Sequence, residues 1–160
     1  MVKNYSSKQV IACEKFIDGI NKIAEKSHHH SLNNIAIFHG NVHQLLDEYC
    51  PHNSISEIWI LFPDPWPKKR HFKRRLINVN FFKKIRDFLK KDATIHIASD
   101  SKLYISDILL TIHQVKKEFK WMNQNKDEWD YLNMTLPETK YFQKALKKGL
   151  NPFYLKLIKY

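Results

Sequence analysis

Glycine, cysteine and long apolar runs are scarce in this sequence, and each scarcity excludes a class of protein. The three glycines, Gly19, Gly40 and Gly149, lie far apart, so no glycine-rich loop is available to wrap a phosphate or nucleotide. Two cysteines form neither a disulfide framework nor a pair of metal ligands. The longest aliphatic and aromatic run, residues 58–62, is too short to span a bilayer, and the first residues lack the apolar core of a signal peptide. A cytoplasmic protein without a membrane partner is expected.

Positive charge is the most prominent feature that is present. The 160 residues contain 27 Lys and Arg against 16 Asp and Glu, which gives a formal net charge of +11. A globular chain this basic indicates a polyanionic partner, with nucleic acid favoured over an acidic membrane surface. The alternative is a basic surface that serves solubility. The length and a hydrophobic content of 43% predict one domain with an ordinary core.

Apolar periodicity predicts strands that alternate with helices along the whole chain. Strands are expected over residues 10–13, 35–38, 58–62, 94–98 and 153–160, and helices over 16–23, 42–48, 81–89 and 103–115, with a polar loop over 27–34. Asn78 is the expected cap of the third helix. This alternation predicts an α/β fold with a mostly parallel sheet and helices on both faces. The last strand is expected to pair antiparallel at the far side of the sheet.

Polar residues follow four of the predicted strands. They are Glu14, Asn41, Asp64 and Asp100. Ligands of open α/β sheets bind at the carboxyl ends of the strands, where an acid often accepts hydrogen bonds from ribose hydroxyls. Glu14 fits that role, and the amide of Asn41 could bind an adenine edge. The alternative is that acids simply favour strand ends and helix starts, but the set as a whole favours a binding site.

The strongest local signal is the stretch FPDPWPKKRHFKRRL over residues 62–76. In the proline loop (residues 62–67), three prolines stiffen the backbone around Asp64, so holding Asp64 in place on binding costs little conformational entropy. The basic segment (residues 68–75) holds six Lys or Arg and one His, a density that suits several phosphates. Its predicted phosphate contacts are Lys69, Arg70, His71, Lys73, Arg74 and Arg75. A basic run is otherwise often a solvated surface.

This stretch resembles the signature of the bacterial tRNA (guanine-N7)-methyltransferases, and four further segments resemble that family in the same order. VIACEKFIDGI is similar to the family's second strand with its ribose-binding acid, and NNIAIFHGN to its third strand. IHIASDS resembles the family's "ATDW" segment, and TKYFQKAL its "TKFEQRG" segment. The proline-tryptophan-basic stretch is highly specific, and the others are individually modest. Together they cover essentially all of the chain.

The resemblance implies a class I methyltransferase fold, with a Rossmann-like sheet and helices on both faces. It implies S-adenosylmethionine as the methyl donor, a guanine in the variable loop of tRNA as the acceptor, and no metal. Residue by residue, it implies cofactor contacts by Glu14, Asn41 and Asp64, a place for Asp64 at the reaction centre, and RNA contacts by Lys68, Asp100, Thr139, Lys140 and Tyr141.

The chemistry fits this set of residues. Guanine N7 carries an in-plane lone pair and can attack a sulfonium methyl without losing a proton, so no strong general base is needed. Transfer moves positive charge onto the purine, which a fixed carboxylate such as Asp64 stabilises. Alignment of the reacting atoms would supply most of the acceleration.

The main departure from the family lies at the front of the chain. The family's first strand and its "EIGFGMGE" loop have no counterpart, so we expect one methyltransferase domain over residues 1–160 that lacks the central strand of its sheet. Each buried backbone group left unpaired would cost about 1–3 kcal/mol. A late start codon or a split gene is favoured over a partner polypeptide that supplies the strand. Asn41, Ser101 and Phe142 stand where the family has Asp, Trp and Glu.

Four other interpretations remain open. A catalytically inactive or partial tRNA-binding remnant would keep the basic segment and lose catalysis. A metal-dependent nuclease could use Asp64 and Asp100, but the spacing is not that of metal ligands. A zinc site at the histidines of residues 28–30 is disfavoured, because consecutive side chains cannot all converge on one metal. Stacking of Trp121, Trp129 and Tyr131 on bases is less favoured than core packing. The oligomeric state is left open.

Overall fold

The computed structural model describes residues 7–133 and 138–160. The chain divides into two compact units, Met1–Pro51 and His52–Tyr160. Strands and helices alternate in both, as the periodicity predicts. A single domain over the whole chain stays a prediction.

The first unit is a two-stranded parallel sheet with two helices. Strand β1 (Val10–Glu14) leads into helix α1 (Ile17–His29), and strand β2 (Ile35–His39) leads into helix α2 (Val42–Tyr49). The two strands pair in register from Val10 opposite Ile35 to Glu14 opposite His39. The predicted polar loop begins later than expected, because α1 continues to His29. Two histidines and Lys26 occupy its last turn, where cations interact favourably with the helix dipole.

The second unit is built around a mixed four-stranded sheet. Its elements are strand β3 (Ile55–Leu61), a 3-10 helix (Lys69–Arg74), helix α3 (Val79–Phe88), strand β4 (Leu89–Ser99), helix α4 (Lys102–Gln114), strand β5 (Phe119–Trp121), two short 3-10 helices (Lys126–Trp129 and Tyr131–Asn133), helix α5 (Lys140–Lys147) and strand β6 (Phe153–Lys159). The strand order is β3-β4-β6-β5, with β3 and β4 parallel.

The last strand is antiparallel, as predicted, but the prediction of its place is wrong. Strand β6 lies between β4 and β5 and pairs antiparallel with both. The edge position belongs to β5, whose three residues are too few to show a period in the sequence. The predicted cap of α3 is confirmed, since the side-chain oxygen of Asn78 accepts a hydrogen bond from the Phe81 N–H at 3.0 Å.

Buried side chains cover both faces of this sheet. On one face, Ile95 and Ile97 are fully buried, and α4 contacts β4. The aromatic rings of Phe82 and Phe119 meet edge to face with centroids 5.2 Å apart. On the opposite face, Phe142 of α5 belongs to a buried cluster with Ala98, Tyr131 and Tyr154. Full burial of one such large side chain contributes about 1.5–3 kcal/mol.

One histidine is buried among polar partners on the α5 face of the sheet. His96 is 7% exposed, and its ring stacks on Trp59 with centroids 3.9 Å apart. Its Nδ1 lies 2.7 Å from the Tyr154 hydroxyl, and its Nε2 lies 3.1 Å from Glu57 Oε1 and 3.2 Å from Thr94 Oγ1. Burial lowers the pKa of His96 from 6.5 to about 4, although Glu57 opposes the shift. The ring is therefore neutral at physiological pH.

Among residues 7–133 and 138–160, no helix has the length and apolar character needed to cross a membrane.

Candidate functional site at the carboxyl ends of the strands

In the first unit, the carboxyl ends of β1 and β2 lie side by side. Glu14 stands opposite His39 in the register, and the Gly40 N–H donates a hydrogen bond to the Glu14 carbonyl at 3.0 Å. Asn41 follows directly. The sheet therefore brings Glu14 and Asn41, two of the residues predicted for the cofactor, to one edge.

The Glu14 carboxylate is fixed by the backbone that follows it. Its Oε1 accepts hydrogen bonds from the N–H groups of Lys15 at 2.7 Å and Phe16 at 2.9 Å. A Cβ at position 19 would lie 2.7 Å from Glu14 Cγ and 2.8 Å from Oε2. Gly19 thus leaves the space that this carboxylate occupies, a role that the sequence alone did not suggest.

Asn41 has a structural role as well as its predicted binding role. It is the N-cap of α2, and its Oδ1 accepts hydrogen bonds from the N–H groups of His43 at 2.7 Å and Gln44 at 3.4 Å. The amide NH₂ is the group left to donate to a ligand. Asn and Asp cap helices about equally well, so the family's Asp at this position would serve the same cap.

In the second unit, the carboxyl ends of β3 and β4 hold the other two acids. Leu61 pairs with Ala98, and the Phe62 N–H donates to the Ala98 carbonyl at 2.8 Å. Asp64, two residues further along, is exposed, and Asp100 is half-buried just after β4. Both carboxylates therefore follow adjacent parallel strands at one edge of the sheet.

The proline loop has an unusual backbone. Phe62 and Trp66 adopt φ angles of 54° and 40°, in the left-handed region that residues with a side chain seldom occupy. Such conformations cost of order 1–3 kcal/mol each and persist where the surroundings hold them. Arg75 donates hydrogen bonds to two carbonyls of the loop. Its Nε lies 2.7 Å from the Pro65 oxygen, and its Nη2 lies 3.4 Å from the Trp66 oxygen.

Most of the basic segment faces solvent. Its 3-10 helix lies beside Trp66, with the Arg74 guanidinium 5.0 Å from that ring and the His71 ring 5.6 Å away, edge to face. His71 is half-buried. The exposed cations are Lys68, Lys69, Arg70, Lys73 and Arg74.

Arg75 corrects the prediction that the whole segment contacts phosphate. It is only 4% exposed, and its guanidinium forms an ion pair with Asp107. Its Cζ lies 3.7 Å from the centre of the Phe72 ring and 4.9 Å from that of Tyr104. A planar, weakly hydrated guanidinium suits such a stacked and paired interior position, and there it is inaccessible to a phosphate.

Thr139, Lys140 and Tyr141 form the start of α5, beside the proline loop. Thr139 caps the helix, since its Oγ1 accepts from the Phe142 N–H at 3.0 Å. The Tyr141 ring is 55% exposed and lies 6.4 Å from the Phe62 ring, nearly parallel to it. The fold therefore brings the predicted RNA contacts at residues 139–141 close to the segment that carries Asp64.

A cleft of about 740 Å³ opens beside Asp100. Its wall includes Lys102, Trp129, Asn151 and Phe153. The sequence pattern did not predict this cleft, because its walls come from segments far apart in the chain.

Tyr131 is buried in the core, which contradicts the alternative that this residue stacks on a base.

In the part of the chain that the structure describes, no group of three His, Cys, Asp or Glu side chains could hold a metal ion.

Comparisons with known proteins give a consistent result. A family model described as "Putative methyltransferase" matches residues 1–155. The chain is 34% identical over 153 residues to the tRNA (guanine-N(7)-)-methyltransferase of Bartonella quintana, covering 93% of this chain and 64% of that protein. It is 31% identical over 149 residues to the enzyme of that name from Chelativorans sp., covering 93% and 63%. The chain thus spans slightly less than two thirds of these curated relatives.

A solved structure described as "a putative methyltransferase" from Streptococcus mutans in complex with SAH is similar, with a TM-score of 0.57 over 95% of this chain and 76% of that one. At 15% sequence identity, this similarity shows a shared fold.

Proposed function

This chain belongs to the methyltransferase family whose model matches residues 1–155, and on that basis we propose that it methylates N7 of a guanine in the variable loop of tRNA. The observation that carries the proposal is the exposed Asp64 between a parallel strand and a row of solvent-facing cations. The curated relatives named as tRNA (guanine-N(7)-)-methyltransferases support the substrate. In this proposal both units belong to one methyltransferase domain, which works in the cytoplasm, where tRNA is found.

Two residues of the first unit suit S-adenosylmethionine as cofactor. The fixed carboxylate of Glu14, for which Gly19 leaves room, can accept hydrogen bonds from ribose hydroxyls. The amide NH₂ of Asn41 can donate to an adenine nitrogen while its oxygen caps α2. When bound, the cofactor supplies an electrophilic methyl group on a sulfonium sulfur.

Asp64 orients the guanine and stabilises the positive charge that the guanine acquires on methylation. N7 needs no deprotonation, so the carboxylate acts through its charge and its position. A preorganised charge at the place where positive charge develops lowers the barrier without reorganisation during the reaction. We also assign Asp64 a contact with the cofactor.

The RNA backbone would contact the exposed part of the basic segment. The proposed phosphate contacts are Lys69, Arg70, His71, Lys73 and Arg74, and the further RNA contacts are Lys68, Asp100, Thr139, Lys140 and Tyr141. Exposed Lys and Arg release counterions from RNA on binding, so affinity depends strongly on salt. Tyr141 offers an exposed ring on which a base could stack.

The test is methyl transfer to a tRNA transcript, with 7-methylguanine detected by borohydride and aniline cleavage. Asp64→Asn keeps the shape of the side chain and removes its charge. We expect turnover to fall by about 10²-fold or more, with tRNA affinity within about twofold of wild type, because tRNA binding rests mainly on phosphate contacts. Asp87→Asn is the matched control, since Asp87 lies in an exposed pair with Arg86.

Two results would contradict this proposal. The wild-type chain could form no 7-methylguanine, or Asp64→Asn could lose tRNA binding as much as turnover. Binding of tRNA with neither cofactor binding nor methyl transfer would instead favour the catalytically inactive remnant.

A further inference from the structure

Arg75 differs from its neighbours in the basic segment by being almost completely buried. Its guanidinium lies against the Phe72 and Tyr104 rings and forms an ion pair with Asp107 of α4. The remaining hydrogen-bonding directions point to the carbonyls of Pro65 and Trp66 in the proline loop. One side chain thus connects the loop that carries Asp64 to a core helix.

The proline loop has few donors of its own. Its three prolines carry no N–H group, so they cannot make the backbone hydrogen bonds that hold an ordinary turn. The loop is anchored at its start by the Phe62 N–H, which donates to Ala98. Beyond that point, Arg75 donates to the two carbonyls that follow Asp64, and one of them belongs to Trp66, with its φ of 40°.

The guanidinium is itself held rigidly. Tyr104 is fully buried, and its hydroxyl accepts a hydrogen bond from the Ile77 N–H at 3.0 Å, so burial and this hydrogen bond fix the ring. The carbonyl of Arg75 accepts from the Asn78 side chain at 3.1 Å, at the start of α3. Arg75 therefore ties the position of the proline loop to the positions of α3 and α4.

We infer that Arg75 is a positioning residue, which holds the proline loop, and with it the Asp64 carboxylate, in the orientation needed for methyl transfer. The predicted effect of Arg75 on catalysis rests on the proposed function. Its effect on the loop conformation rests only on the contacts described above. The pair with Asp107 keeps the guanidinium charge balanced in the interior, and the fork of N–H groups provides the directions that a lysine ammonium cannot reproduce.

The test compares Arg75→Lys with Arg86→Lys, a control in an exposed ion pair remote from the loop in sequence. Fluorine NMR of protein containing 5-fluorotryptophan reports on Trp66, whose signal is assigned with Trp66→Phe. We expect Arg75→Lys to shift or broaden the Trp66 signal and to lower kcat about 10–100-fold, as a misplaced catalytic group does. KM for tRNA should stay within about threefold, because the phosphate contacts are elsewhere.

Asp107→Asn is the second variant, for the case that Arg75→Lys does not fold. The Asp107 side chain is 42% exposed, and the Asn oxygen can still accept a hydrogen bond from Arg75. This variant should shift the same Trp66 signal and lower kcat in the same direction. An unchanged Trp66 signal and kcat in a folded variant would overturn the inference, and so would a rise in KM at constant kcat. If wild type forms no 7-methylguanine, the proposed function fails. The Trp66 signal then decides the positioning role alone, supporting it if it moves and refuting it if it does not.

Discussion

Stability of the second unit should fall in mild acid because of one buried histidine. The pKa of His96 is lowered from 6.5 to about 4, mainly by burial. Between these values the unfolded chain takes up a proton at this ring and the folded chain does not. The contribution of the neutral His96 ring to the free energy of unfolding is therefore complete above pH 6.5, and it is lost as pH falls towards about 4.

The size of the effect follows from the shift and the partners of the ring. A pKa unit corresponds to about 1.4 kcal/mol, so the full gap gives an upper limit of about 3 kcal/mol. The Glu57 carboxylate, 3.1 Å from Nε2, favours the protonated ring, and Lys156 disfavours it. Because Glu57 and Lys156 act in opposite directions, burial dominates the shift. We expect protonation of His96 alone to lower the free energy of unfolding by about 1–3 kcal/mol.

Urea unfolding at pH 7.5, 6.5, 5.5 and 4.5 would measure this loss. All four tryptophans lie in the second unit, so their fluorescence follows that unit. His96→Gln keeps a polar side chain that does not titrate and should flatten the pH dependence relative to wild type. His113→Gln, at an exposed site on α4, is the control and should leave it unchanged. Parallel pH profiles for wild type and His96→Gln would refute the reasoning.

Two further predictions concern a helix cap and the RNA surface. Asn78→Ala removes both the acceptor of the Phe81 N–H and the donor to the Arg75 carbonyl, and should destabilise the second unit by about 1 kcal/mol or more. Asn78→Asp keeps the acceptor and loses only the donor, so it should destabilise the unit less; equal unfolding midpoints for the two variants would contradict this. Replacing Lys69 or Lys73 with alanine should lower the slope of log Kd against log salt for tRNA by about one, whereas the exposed Lys116, outside the basic segment, should have no effect on the slope. A slope that does not change for Lys69 or Lys73 would remove them from the phosphate contacts.

Much of the fold could be predicted from the sequence. The α/β class, with the methyltransferase fold that the resemblance implied, is confirmed by the alternating elements and by the similar solved structure. The strands that end at Glu14 or shortly before Asn41, Asp64 and Asp100 finish within one residue of the predicted ends, because alternation and caps are local properties of a few residues. The roles of these four residues remain proposals.

Other features depended on contacts between distant parts of the chain. The sequence does not distinguish Arg75 from Arg74 as a phosphate contact, since both belong to one basic run. In the structure Arg74 faces solvent, while Arg75 is buried against Asp107, 32 residues away. Likewise, the place of β6 inside the sheet required β5, which is too short to recognise from its pattern.

The sequence by itself thus determined most of the strands and helices, where the acids stand at the ends of strands, and how much positive charge surrounds Asp64. The tertiary structure decided which cation is interior, how the proline loop is anchored, and which histidine loses its charge. The reason is physical: periodicity and capping act over a few residues, whereas burial and ion pairing depend on the neighbours that folding brings together.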